Sequence, residues 1–100
     1  MDDFFALPAF KPQDALVNLR RQLRELKLTE RAGGELVRFE LAGDTVVELK
    51  AEADAIAARI ARRPARTPEW DSRRIASSAD LRAFADDAKK RVSRWNDDRD

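Results

Sequence analysis

Residues 45–64 read TVVELKAEADAIAARIARRP, and the fold turns on whether this stretch is two strands or one helix. The helical reading has local support. Thr45-Val-Val-Glu48 matches a capping box. Val46, Leu49, Ala53, Ile56 and Ile60 recur at 3-4-3-4 spacing, and the Ala, Glu and Arg content of residues 51–63 favours helix. Pro64 would end such a helix, giving a mostly α protein with a long helix over 45–63.

The strand reading rests on alternation. Val47, Leu49 and Ala51 alternate with Glu48 and Lys50, Glu52-Ala53-Asp54 can turn the chain, and AIAARIA then places Ile56, Ala58 and Ile60 on one face. The preceding residues lean the same way. Gly33-Gly34 separates LTER from ELVRFEL, where Val37, Phe39 and Leu41 alternate with Arg38 and Glu40. Ala42-Gly43-Asp44 can then turn into TVVELKA. A lone hairpin over 28–41 is marginal in water, and further strands would complete a sheet. The expectation is an α+β fold with an antiparallel meander of three or four strands; the long helix remains its alternative.

Both flanks predict helices. Pro12 suits a first helical turn, and Leu16, Leu19, Leu23 and Leu26 form an apolar stripe over 12–27, with Arg20, Arg21 and Arg24 off it. Near the other end Ser77 and Asp80 resemble a capping box, and Leu81, Phe84, Ala88, Val92 and Trp95 continue at helical spacing. Both stripes are expected to cover one face of the sheet. The other face, with Arg38, Glu40, Glu48, Lys50 and Arg59, would be solvated and cross-paired. Between the last helix and Pro64, residues 65–74 read as irregular or as an edge strand. Trp70 and Ile75 lie an odd number of positions apart, which a regular strand would send to opposite faces; a bulge or a short strand starting late would resolve this.

Residues 12–96 are expected to be a single domain, preceded by an arm (1–11) and followed by a frayed polar tail (97–100). Pro8 and Pro12 favour an extended arm. Its Phe4, Phe5 and Phe10 are costly in free water and predict packing on the domain or on a partner.

The chain has 100 residues, 43% hydrophobic and 39% charged, with net charge +1. That balance provides no global field for polyanions. Cysteine, histidine and tyrosine are absent. This excludes disulfides, thiolate chemistry and the commonest general base, and predicts a cytoplasmic protein. No apolar run is long enough to span a membrane, and the acidic start MDDFFALPAF is unlike a signal peptide. Gly33, Gly34 and Gly43 match no phosphate loop. Ser77 and Ser78 read as caps. Asp86-Asp87 and Asp97-Asp98-Asp100 lack the spacing of a rigid cation site. No enzyme, cofactor or metal is expected.

One stretch stands out. ARRPARTPEWD, residues 61–71, lies within a run holding Arg59, Arg62, Arg63, Arg66, Arg73 and Arg74 around Trp70, opposed only by Glu69 and Asp71. Arginines can fork onto phosphates and an exposed indole can stack on a base. Equally, these residues suit a stiff, solvated crossover whose tryptophan seals the core. Arg20, Arg21 and Arg24 could extend a basic patch if the fold brought them near.

DDFFALPAFKP, ARTPEWD and DLRAFADDAKKRVSRW resemble stretches of a family of small uncharacterised proteobacterial proteins. The resemblance implies a stand-alone bacterial cytoplasmic protein and carries no activity, cofactor or functional residue. The expected function is a non-catalytic binding module, monomeric or homodimeric, that contacts another protein through its aromatic arm or a sheet edge. The alternative is a nucleic-acid accessory protein using Arg59 to Arg74.

Overall fold

The computed structural model describes residues 10–98. Helix α1 spans Pro12–Glu25, followed by β1 Thr29–Gly33, β2 Leu36–Leu41, β3 Asp44–Ala51, β4 Ile56–Ala61 and β5 Trp70–Ile75. Helix α2 closes the chain at Ser78–Asp98. The strands form one antiparallel meander in sequence order. The expected α+β architecture is present, with five strands rather than three or four.

The contested residues 45–64 are strands, and the helix over 45–63 is absent. Val47 stands opposite Ile60, Leu49 opposite Ala58 and Ala51 opposite Ile56. Glu52 N–H donates to the carbonyl of Ala55 (2.7 Å) to close the turn between them. Tertiary pairing thus overrides the helical propensity of an Ala-rich segment. Two short turns enforce the register. Gly34 takes φ +62 as the first central residue between Gly33 and Leu36, the pattern of a type II′ hairpin. Ala42 (φ 53) and Gly43 (φ 91) are both positive between Leu41 and Asp44, the pattern of type I′.

The register breaks once, between Phe39 and Glu40, where β3 carries Val46 as an extra residue. Val46 and Val47 are consequently both fully buried, which strict alternation forbids. The odd spacing of Trp70 and Ile75 called for a bulge or a late-starting strand if both were to share a face. There the strand is regular. Trp70 opposes Ala61 on the open face and Ile75 opposes Ile56 beneath the helices, so the odd spacing needs no correction.

Both helices lie on one face. Leu16, Leu19 and Leu23 of α1 and Phe84, Ala88, Val92 and Trp95 of α2 join Val37, Phe39, Val47, Leu49, Ile56, Ile60 and Ile75 in one core. Lys27, at φ 69, ends α1 in the left-handed conformation usually left to glycine. Ser77 caps α2, its Oγ accepting from Asp80 N–H (3.0 Å), while the Asp80 carboxylate accepts from Ala76 N–H (3.0 Å). The helix continues to Asp98, so the expected polar tail is helical over residues 97–98.

The open face pairs its charges across strands. Glu48 accepts from Arg59 (2.7 Å) and lies 3.5 Å from Arg38; Glu40 lies 3.6 Å from Arg31. Beneath α1, Glu30 accepts from Arg20 Nε (3.2 Å) and from Arg24 (2.8 Å). The Arg20 hydrogen bond, then that of Arg24, holds the Glu30 carboxyl below its ordinary pKa against the opposing effect of burial. A depressed folded-state pKa contributes stability that is present above the unfolded carboxylate value of about 4 and lost as pH falls through the folded value. The melting temperature should therefore hold from neutral pH to about 5 and then fall in acid. Glu30→Gln should melt lower than the parent at neutral pH and converge on it in acid. Coincident melting temperatures for the two proteins across the range would show that this cluster contributes nothing.

Candidate interaction surface

The arginine-rich run folds as the end of β4, a connection, and β5, and its charges do not share a surface. Arg59 and Arg74 project from the open face, opposite Ser72 and Ala57 respectively. Arg73 opposes Ala58 on the helix side. Arg62, Arg63 and Arg66 lie exposed in the connection. Arg20 and Arg24 sit over β1, at the opposite edge of the sheet from β5, so they do not extend the run.

Half of the six arginines of the run already have carboxylate partners. The Arg59 guanidinium lies 4.2 Å from the centroid of the half-buried Trp70 ring while donating to Glu48. One face of the indole is therefore covered by a cation that is itself neutralised. Arg62 Nε donates to Asp71 (3.0 Å), and Arg74 reaches Asp54 (3.3 Å). Arg63, Arg66 and Arg73 have no carboxylate partner among the described residues. Arg63 borders an open cleft of about 520 Å³ with Arg62, Arg94 and Trp95, where Asp44 and Asp98 offset the positive charge.

Arg91 anchors this region, although the charge pattern of residues 59–74 does not point to it. From α2 it donates to Asp87 (3.0 Å) and to the carbonyl of Ala61 (3.0 Å), and it pairs with the second oxygen of Asp71 (3.0 Å). Burial disfavours its charge, but the hydrogen bonds to Asp87 and Asp71 outweigh this and raise its pKa. Arg62 first, then Arg91, lowers that of Asp71. The available signal was the Asp87–Arg91 spacing of four on a helix, which predicts a surface pair and says nothing of β5.

The aromatic arm falls largely outside the described residues, Phe4 and Phe5 with it. Phe10 is half-buried and packs against the core, where it borders a groove of about 910 Å³ between the starts of α1 and α2.

The edge of β5 is chemically open. Arg62 N–H donates to the carbonyl of Glu69 (2.9 Å), continuing the β4–β5 register by one pair. In an antiparallel ladder a residue's N–H and C=O point to the same side, and successive residues alternate. Glu69, Asp71, Arg73 and Ile75 thus face β4, while Trp70, Ser72 and Arg74 direct their N–H and C=O groups away from the sheet. The Ser72 carbonyl fits this, since it accepts from the Arg73 side chain (3.0 Å). The other edge is more guarded: β1 is one residue shorter, and α1 grips its Glu30.

Among the described residues no helix is long and apolar enough to cross a membrane, and no group of three His, Cys, Asp or Glu is placed to hold a metal ion. Comparison with protein-family models, curated proteins and solved structures finds no match.

Proposed function

We propose that this chain is a small non-catalytic interaction module, acting in the bacterial cytoplasm, which joins another polypeptide by strand addition at the edge of β5. The observation that carries this is the outward row of backbone groups at Trp70, Ser72 and Arg74, in a strand with exposed side chains at positions 72–74. Such a row is a template for a further strand, and natural proteins normally blunt or use it. The lack of histidine and cysteine supports the non-catalytic part of the reading, and the lack of cysteine supports the compartment.

A photo-crosslinking residue placed at Ser72, with Lys50 on the open face as control, tests the site in the cells that make the protein. Adducts to a second polypeptide are expected from position 72 and not from position 50. Equal yields, or none at 72, would remove the edge from the proposal.

The nucleic-acid alternative rests on six arginines, three of which already face carboxylates. Arg59 covers the indole face on which a base would stack, and Arg59, Arg62 and Arg74 already face carboxylates. Fluorescence anisotropy of labelled single-stranded and duplex oligonucleotides should stay flat at physiological salt. A micromolar complex that weakens steeply with salt and disappears in a folded Arg62→Glu/Arg63→Glu/Arg66→Glu variant would reinstate that alternative.

A further inference from the structure

The partner that β5 fits is a second copy of itself. We propose that two chains pair their β5 edges antiparallel about a two-fold axis passing beside Ser72, giving a continuous sheet of ten strands. This rests on the edge reading above and adds the occupant and its register.

The register follows from parity and charge. A two-fold axis relating antiparallel neighbours stands perpendicular to the sheet, so it keeps the open face on one side and the helices on the other. Residues facing one another across the new seam must then share a face. Even positions of β5 oppose even ones and odd oppose odd. Three central registers satisfy this condition.

Centred on Arg73, the pairing sets Arg73 against its own copy and Asp71 against Ile75. Centred on Asp71, it sets two carboxylates together. Like charges directly opposite are destabilising. Centred on Ser72, Asp71 meets Arg73 of the other copy, twice, on the helix side, while Trp70 meets Arg74, twice, on the open side. Every charged position then faces an opposite charge or an aromatic ring.

Backbone polarity suits this register best, because centring on Arg73 leaves Trp70 opposite Ala76, beyond the strand, and centring on Asp71 leaves Arg74 opposite Pro68, which has no N–H. Trp70, Ser72 and Arg74 carry the outward N–H and C=O groups, and centring on Ser72 sets each of them opposite another outward residue. Ser72 exchanges both hydrogen bonds with its copy, and Trp70 exchanges both with Arg74. The isolated chain is already adapted to the change. Arg73 now covers the Ser72 carbonyl (3.0 Å), and a depression of about 250 Å³ between β5 and α2 leaves it room to turn toward the other chain. Asp71 has one oxygen engaged by Arg62 and the other by Arg91, and each carboxylate oxygen has a second lone pair for an incoming guanidinium.

The purified full chain tests this by sedimentation across a wide concentration range, with amide hydrogen exchange at both extremes. A concentration-dependent dimer is expected in which Trp70, Ser72 and Arg74 amides gain protection, while Asp71 and Arg73 amides are protected throughout. Ser72→Pro removes an N–H that the β4–β5 ladder does not use, and should be folded and monomeric. Arg73→Asp, which sets carboxylates against carboxylates, should weaken the dimer by about tenfold or more while retaining the parent circular dichroism. A monomer at every concentration, or a dimer whose β5 edge amides still exchange freely, overturns the proposal. If the chain is monomeric but crosslinks from position 72 to a different polypeptide, the edge reading survives and self-pairing does not.

Discussion

The Val92→Asp variant is expected to be unfolded in buffer. Val92 is 3% exposed on the inner stripe of α2, in the same core cluster as Phe84, Ala88 and Trp95. No buried polar or charged residue shares that core among the described residues, so the new carboxylate would arrive without a designed partner. An uncompensated buried charge costs about 3–5 kcal/mol. The lost burial of the valine adds about 1.5–3 kcal/mol. The combined loss exceeds the stability of a domain at the lower end of the usual roughly 5–15 kcal/mol, where a chain of 100 residues with one modest core belongs. Ser93→Asp, one residue on and exposed, should be nearly silent. The readout is far-UV circular dichroism with thermal melting. A Val92→Asp protein with the parent signal and midpoint would mean that α2 does not use this face to cover the sheet.

Phe39→Ala should be the most damaging simple truncation. Phe39 is the largest fully buried side chain; it stands opposite Glu30 on one side and Val47 on the other, beneath the helices. Deleting its ring leaves a cavity bounded by β1, β3 and α1, and such deletions cost about 3–5 kcal/mol. For a domain of this length that corresponds to a fall in melting temperature of roughly 15–30 °C. Equilibrium urea unfolding with an unchanged slope would assign the loss to the native state. A loss under about 1 kcal/mol would place Phe39 outside the core and the β2 register in error. This variant and Val92→Asp test the two layers of one core, the sheet and the helices that cover it.

The arginine-rich run shows how far charge counting reaches. From composition alone, residues 59–74 look like one basic surface. The pleat distributes the arginines between two faces, because adjacent residues of a strand point in opposite directions. The chain then supplies Glu48, Asp54 and Asp71 from three different places to meet Arg59, Arg74 and Arg62. Arg91, the best-buried arginine of the cluster, sits in α2 and acts on β5 from 20 residues away. None of these encounters leaves a local mark in the chain.

Much else was legible. The leucine stripe of α1, the Leu81-to-Trp95 stripe of α2, the Ser77–Asp80 cap and the two glycine-containing hairpin turns are all short-range features. Each depends on residues within a turn or two of one another, so the sequence carries them complete. The alternation in VRFEL and VVELK belongs to the same class. Residues 45–61 did not. Their Ala and Glu content satisfied a helix while their alternation satisfied two strands, and local energies left both available. The choice fell to the sheet, where Val47 and Leu49 gain paired neighbours on both sides, Ala51 stands opposite Ile56, and Ile56 and Ile60 are buried under helices. The bulge at Val46, the cover that Arg59 lays over Trp70, and the open edge of β5 are likewise products of pairing between distant segments. Helical contacts connect residues three or four apart and can be read along the chain, whereas a sheet assigns each residue its partner only once the strands have met.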